Sequence, residues 1–314
     1  MLRVLTYHRV GLPGDTPSLD PSLISATPLV FARQMEHLAN RYHVVSMEEA
    51  LNAAQKGTRL PKRAVLLTFD DAYRDFGEIA WPILRQYRLP ATLFVPTAYP
   101  DQPEHCFWWD RLHQAVTCTS QIQLGETPLG SLPLGTWDQR RRAVRMLQDY
   151  VKTIPHAEAM ALIDRTCASL APKTVPRARV LGWHELRQLA QQGVTLGGHT
   201  RTHPLLPRLP LHQVREEVKG CLQDLEREVG NTLPVLSYPN GSHDEMVRAI
   251  LKEEGVLLAF GGQDGENRLG PPAELLQLRR TNITLRTSLP IFRLRLRRAF
   301  TYLDLWRHRK QRSS

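Results

Sequence analysis

Apolar residues fall in two rhythms along this chain. Residues 64–69, Ala-Val-Leu-Leu-Thr-Phe, form an unbroken apolar run of strand length, the pattern of a strand covered on both faces. Shorter apolar or β-branched runs at 3–7, 44–45, 91–95, 193–197, 234–238 and 256–260 predict further strands. Helical spacing fills the gaps. Thr27-Pro28 supplies an N-cap and a first-turn proline for a helix to about residue 41, and Ser46-Met47-Glu48-Glu49 reads as a capping box. Further helices are predicted over 78–87, 183–192, 211–229 and 244–254. Strand and helix alternating in this way predict an α/β fold on a mainly parallel sheet.

Two stretches depart from the rhythm. Residues 99–180 carry the cluster Phe107-Trp108-Trp109-Asp110-Arg111, then polar strand-like sequence, then helical stretches at 139–153 and 157–170. They read as an insertion in one βα loop. From Ser288, a cap and a first-turn proline open a segment in which Phe292, Leu296, Ala299, Leu303 and Trp306 follow helical spacing while arginines crowd the other faces. Residues 291–297 also alternate with period two, which leaves a strand open for the first part. The division expected is a body of residues 1–285 containing the insertion, and a basic amphipathic tail of residues 286–314.

Charge sharpens this division. Of 41 Lys and Arg and 31 Asp and Glu in the 314 residues, eleven basic residues and one acid lie in 279–314, so residues 1–278 are formally neutral. A body-wide nucleic-acid surface is not expected. The tail either lies on anionic lipid or docks on the body with its arginines solvated. Cys106, Cys118, Cys167 and Cys221 show neither metal-site nor disulfide-framework spacing, which reads as unpaired thiols in a reducing compartment. The opening residues do not resemble a signal peptide, and a cytoplasmic protein is expected.

In parallel α/β folds, chemistry collects where strands end. Tyr7-His8 follows the first strand, Asp70-Asp71 follows residues 64–69, His199-Thr-Arg-Thr-His203 follows the strand near 197, and Pro239-Asn240-Gly241 follows Tyr238. Neutral imidazoles and one carboxylate suit a divalent metal with positions left for water. The i, i+4 spacing of His199 and His203 suggests one side of a helical turn. One aspartate completes three ligands, and the other is free to take a proton from water. Taken singly, Asp-Asp reads as a helix cap and His-x-x-x-His as a solvated face.

Thr68-Phe69-Asp70-Asp71, His199 to His203 and Tyr238-Pro239-Asn240-Gly241, in this order, resemble the polysaccharide deacetylase family (NodB-homology domain, carbohydrate esterase family 4), over most of residues 1–280. Tyr7-His8-Arg9-Val10 is similar to the opening of one bacterial branch of it. The resemblance implies a distorted (β/α) barrel of about seven strands and metal-dependent removal of an N-acyl group from an amino sugar. It implies Asp71, His199 and His203 as metal ligands, Asp70 as general base, and the Tyr238 backbone N–H as an oxyanion donor. The cation expected is Zn2+, with Co2+, Ni2+ or Mn2+ as alternatives.

The chain departs from the family in three places. No Leu-x-His stands at 276–282, no arginine precedes the Pro-x-Gly turn, and Ala72 occupies a position where glycine is usual. His8 is the expected replacement acid and His243 the second choice, whereas His184 is expected to have no role. Trp108, Trp109, Asp110 and Arg111 are expected to form a substrate wall, or alternatively local core, with Pro239 and Asn240 also beside the substrate. The function expected is a hydrolase removing N-acetyl groups from an amino-sugar polysaccharide or lipid-linked glycan, peripheral at the inner membrane face. The alternatives are the same site acting on a formyl amino sugar or ureide, and a non-catalytic carbohydrate-binding relic.

Overall fold

In the computed structural model, residues 1–102, 105–171, 179–270 and 274–297 are described. The chain runs through β1 (Leu2–Tyr7), β2 (Arg9–Val10), β3 (Ile24–Ala26), α1 (Pro28–Arg41), β4 (His43–Val45), α2 (Met47–Lys56) and β5 (Ala64–Phe69). A π-helical turn, Phe76–Ala80, leads into α3 (Trp81–Gln86) and β6 (Thr92–Val95). The insertion follows as α4 (Trp108–Cys118), the hairpin β7 (Gln123–Thr127) and β8 (Gly130–Pro133), α5 (Trp137–Val151) and α6 (His156–Leu170). The alternation then resumes with α7 (Trp183–Gln191), β9 (Thr195–Gly198), α8 (Leu211–Val229), β10 (Val235–Ser237), α9 (Glu245–Glu253), β11 (Leu258–Phe260), β12 (Glu266–Asn267), β13 (Thr281–Asn282) and α10 (Leu289–Arg295).

The caps behave as their residues dictate. The Thr27 side chain accepts from the Val30 N–H, and Ser46 with Glu49 forms a complete capping box, so α1 and α2 begin where the sequence places them. The insertion's first helix was not anticipated. Trp109, Leu112, Ala115 and Val116 follow helical spacing and are buried, but Phe107 before α4 provides no side-chain cap to mark its start.

The main sheet runs β11-β10-β9-β6-β5-β1-β12, with β4 also beside β5 and β13 also beside β1. All pairs are parallel except β1 with β12. Residues 278–282 join the two sides of this curled sheet. Leu278 bridges Phe260, while Thr281 and Asn282 pair with Leu5 and Thr6. This is a distorted (β/α) barrel, and its parallel strands bring their C-terminal ends to one rim. The apolar run of β5 is buried at all six positions, as strands covered on both faces require.

The insertion has a core of its own. Leu112, Val116, Leu124, Leu132, Leu147 and Ile163 pack with one another, apart from the barrel core. α10 is a helix over the stretch whose alternation had allowed a strand. Its Phe292, fully buried, joins the barrel core with Leu296 beside it, and Phe292 meets His37 of α1 edge-on. The described start of the tail is therefore docked on the body. The expected continuation through Ala299, Leu303 and Trp306 lies outside the described residues. Among the described residues no helix is long and apolar enough to cross a membrane.

Candidate active site

The rim gathers the strand-end residues around one cavity of about 250 Å³, whose lining includes His8, Asp70, Asp71, His199, His203 and Arg280. Asp71 Oδ1 lies 3.4 Å from His199 Nε2 and 3.3 Å from His203 Nε2, and one ligand atom from each of these three residues lies within 4.8 Å of the others. All three side chains are buried. His199 Nδ1 donates to the Ser237 carbonyl at 2.7 Å, so in the neutral ring Nε2 carries the lone pair that faces the aspartates. Asp71 Oδ1 is buried with no hydrogen-bond donor. A bare carboxylate oxygen facing two imidazole nitrogens at these separations is what a tetrahedral cation with bonds of about 2.1 Å leaves between its ligands. The residues fit one divalent metal ion.

The two histidines do not sit on a helical turn. Residues 199–203 form a loop with Thr200 and His203 in the left-handed region, at φ 63° and 59°. Three bonds hold it: Glu217 of α8 accepts from the N–H groups of Arg201 and Thr202 and from the Thr202 hydroxyl. Thr200 Oγ1 accepts from the His203 N–H. Loop reversal, rather than helical periodicity, brings the rings to 4.6 Å. Asp71 and Ala72 are also left-handed, at φ 72° and 52°. This backbone conformation explains why glycine suits position 72 and why alanine there is strained.

Asp70 is held differently. Burial alone would raise its pKa, but the Arg280 guanidinium, 2.9 Å from Oδ1, and then His199 pull it below the usual carboxylate range. Ser237 Oγ donates to its other oxygen at 3.2 Å. Burial would likewise raise Asp71, yet the close approach of the His199 and His203 rings carries it far below that range. His199 is raised, because the charge of Asp70 and the Asp71 contact overcome burial. His203 is lowered, first by burial. Sequence reasoning missed Arg280. It sought an arginine before Pro239, whereas this one arrives beside β13 with Nε tied to the Gly261 carbonyl. In the sequence it is one of the eleven basic residues of 279–314.

The remaining expectations divide. His8 lines the cavity. His243 does not, because its ring stacks on Tyr238 at 4.6 Å and its Nδ1 meets the Gly241 carbonyl. The Tyr238 N–H is not available for an oxyanion, since it donates to the Phe260 carbonyl as an extension of the β10–β11 ladder. Pro239 is buried, does not line the cavity and has no N–H, whereas Asn240, at φ 55°, lines it. Gly241 follows at φ 64°, where a Cβ would run into the Gly262 backbone. His184 is exposed on α7.

Of the insertion residues, Trp108 and Trp109 line the cavity and Asp110 and Arg111 do not. Arg111 pairs with Asp164 of α6. The buried Asp110 accepts from the Asp20 N–H and the Tyr73 hydroxyl, and Tyr73 in turn accepts from the Trp109 indole. This chain seats the Trp109 ring 4.8 Å from the His203 ring, so Asp110 orients the wall rather than the substrate.

Residues 57–259, more than half of the chain, match the family described as polysaccharide deacetylase. The chain belongs to that family. Among curated relatives, the poly-beta-1,6-N-acetyl-D-glucosamine N-deacetylase of Escherichia coli K12 is 29% identical over 142 residues, covering 45% of this chain and 18% of the relative. The protein of the same name from Staphylococcus aureus is 40% identical over 55 residues, covering 18% of this chain and 19% of the relative. The matched stretches thus span less than a fifth of either relative's length. Among solved structures, the Streptococcus pyogenes deacetylase PplD in complex with acetate superposes with a TM-score of 0.62 at 19% identity, over 94% of this chain and 98% of that one. The de-N-acetylase of Aggregatibacter actinomycetemcomitans does so at 0.59 and 18%, over 94% and 99%. At these identities the superpositions establish the shared fold.

Proposed function

We propose that this chain is a metal-dependent hydrolase that removes N-acetyl groups from an amino-sugar polysaccharide. The observation that carries the reading is the meeting of Asp70, Asp71, His199 and His203 at one cavity, with Asp71 Oδ1 left bare between two imidazoles. The names of the curated relatives support an N-acetylglucosamine polymer as substrate.

Asp71, His199 and His203 would hold the cation, with Zn2+ the first choice for this donor set. Such an ion polarises the acyl oxygen and acidifies water when bound. Asp70, kept anionic by Arg280 and oriented by Ser237, accepts the proton of the attacking water. His8, at the end of β1, gives a proton to the departing amine. The Tyr238 and Gly241 N–H groups are committed and Pro239 has none, so Asn240 supplies the turn's N–H to the developing oxyanion. Trp108 and Trp109 offer ring faces to the sugar.

Contact with an anionic membrane is part of the proposal. Exposed Arg41, Lys62, Arg63, Arg293 and Arg297 line one groove with the N-terminal ends of β1 and β5, at the opposite end of the barrel from the site. The four free thiols support a reducing, cytoplasmic setting. The deciding experiment measures acetate release from N-acetylglucosamine oligomers by zinc-loaded protein. Release that Asp70→Asn abolishes supports the reading. Formate release from formyl amino sugars alone redirects it to that substrate, and no turnover of any acylated sugar leaves a binding relic.

A further inference from the structure

The insertion contributes more than aromatic rings to the cavity. Gln148 and Lys152, from the C-terminal end of α5, line it together with Asp20 from the β2–β3 loop. The acids and the arginine on this wall and rim each face a polar or charged neighbour. Asp20 accepts from the Ser22 N–H through one oxygen and from Gln148 Nε2 at 2.7 Å through the other. Arg280 is bound to Asp70, and Asp71 faces the two histidines.

Lys152 differs from all of them. Its carbonyl accepts from Arg208 Nε at 3.2 Å, which fixes the backbone where α5 ends. Its half-buried side chain has no carboxylate partner among the described residues. A lysine at a helix C-terminus is stabilised by the helix dipole, but that requires no place on a cavity wall. The cavity's roughly 250 Å³ lies below the ~300–1,000 Å³ of most small-molecule sites, so it takes about one sugar ring, and Lys152 lines it together with the Asp71, His199 and His203 triad.

We propose that Lys152 forms a subsite for an anionic substituent, a carboxylate or a phosphate, on the acylated amino sugar or its immediate neighbour, so that this enzyme acts on an acidic glycan. The inference rests on the deacetylase reading and adds the charge of the substrate. An unpaired ammonium on a wall of partnered groups binds an anion without breaking an existing bond, whereas a neutral sugar leaves it unsatisfied.

The experiment compares zinc-loaded enzyme on a neutral N-acetylglucosamine disaccharide, on a disaccharide of N-acetylglucosamine with a uronate, and on N-acetylglucosamine 1-phosphate. The expected result is a preference for one anionic substrate, expressed mainly in KM and about tenfold in size, the scale of one charge-assisted hydrogen bond. The better of the two anionic arms identifies the group. Lys152→Met should erase the preference, Lys152→Arg keep it and Lys152→Glu invert it. In the unaltered enzyme the preference should shrink as salt rises, a readout that needs no variant to fold. Equal use of neutral and anionic substrates, or a Lys152→Met loss of the same proportion on both, overturns the subsite and leaves the deacetylase reading intact. Inactivity on all three sugars overturns the reading and the subsite together.

Discussion

Arg280 reaches across 210 positions of sequence to donate to Asp70 at 2.9 Å, with both side chains buried. The carboxylate proposed to accept a proton is thereby kept ionised by a residue from the segment that joins the two sides of the sheet. Removing Arg280 takes away the foremost charge that holds Asp70 ionised, so its pKa must rise. Arg280→Met should lower kcat by about tenfold or more and move the acid limb of the kcat/KM pH profile upward. An unmoved acid limb would show that Asp70 is not the base or that Arg280 does not set its charge.

The proposal gives the neighbours Asp70 and Asp71 separate tasks. Asp70→Asn should cost about 10²–10⁴ in kcat and leave the bound zinc unchanged by elemental analysis. His199→Ala should release the metal as well as activity, since it removes one of three ligands and the ring fixed by Ser237. Equal metal content in all three proteins contradicts the assignment of ligands.

Asp110 gives stability a pH signature. Burial pushes its carboxyl up to about 7, against the hydrogen bonds from Asp20 and Tyr73 that favour the charge. The unfolded chain titrates this group near the ordinary 3.8, so between roughly pH 4 and 7 the folded state holds a proton that the unfolded state has lost. The contribution is fully present below that window and lost as pH rises through it. Relative to Asp110→Asn, the unaltered protein should lose up to about 1 kcal/mol per pH unit across the window in denaturant titrations. Asp75, raised by burial to about 6 despite Arg9, adds a slope of the same sign that ends lower.

Phe292 anchors the start of the basic tail. Phe292→Ala should destabilise the protein by about 3–5 kcal/mol in urea unfolding, the usual cost of emptying a buried phenylalanine site. Arg293→Ala, exposed on the same helix, should change stability by less than about 0.5 kcal/mol. A small effect at Phe292 would mean that α10 is not docked on α1.

Strands, caps and the order of the catalytic motifs were legible in the amino-acid order because their causes are local. A strand buried on both faces needs a continuous apolar run, as in residues 64–69, and a helix start needs an oxygen placed to accept an orphan N–H, as at Thr27 and Ser46. The resemblance to the deacetylase family added the roles of Asp70, Asp71, His199 and His203. Long-range packing decided the rest. It supplied Arg280 to Asp70 and made Asp110 a brace for Trp109 instead of a sugar contact. It also committed the Tyr238 N–H to a neighbouring strand and turned 199–203 into a strained loop rather than a helical turn. Each of these outcomes depends on which groups compete for one donor or one charge in a buried space, and chain order holds no record of that competition.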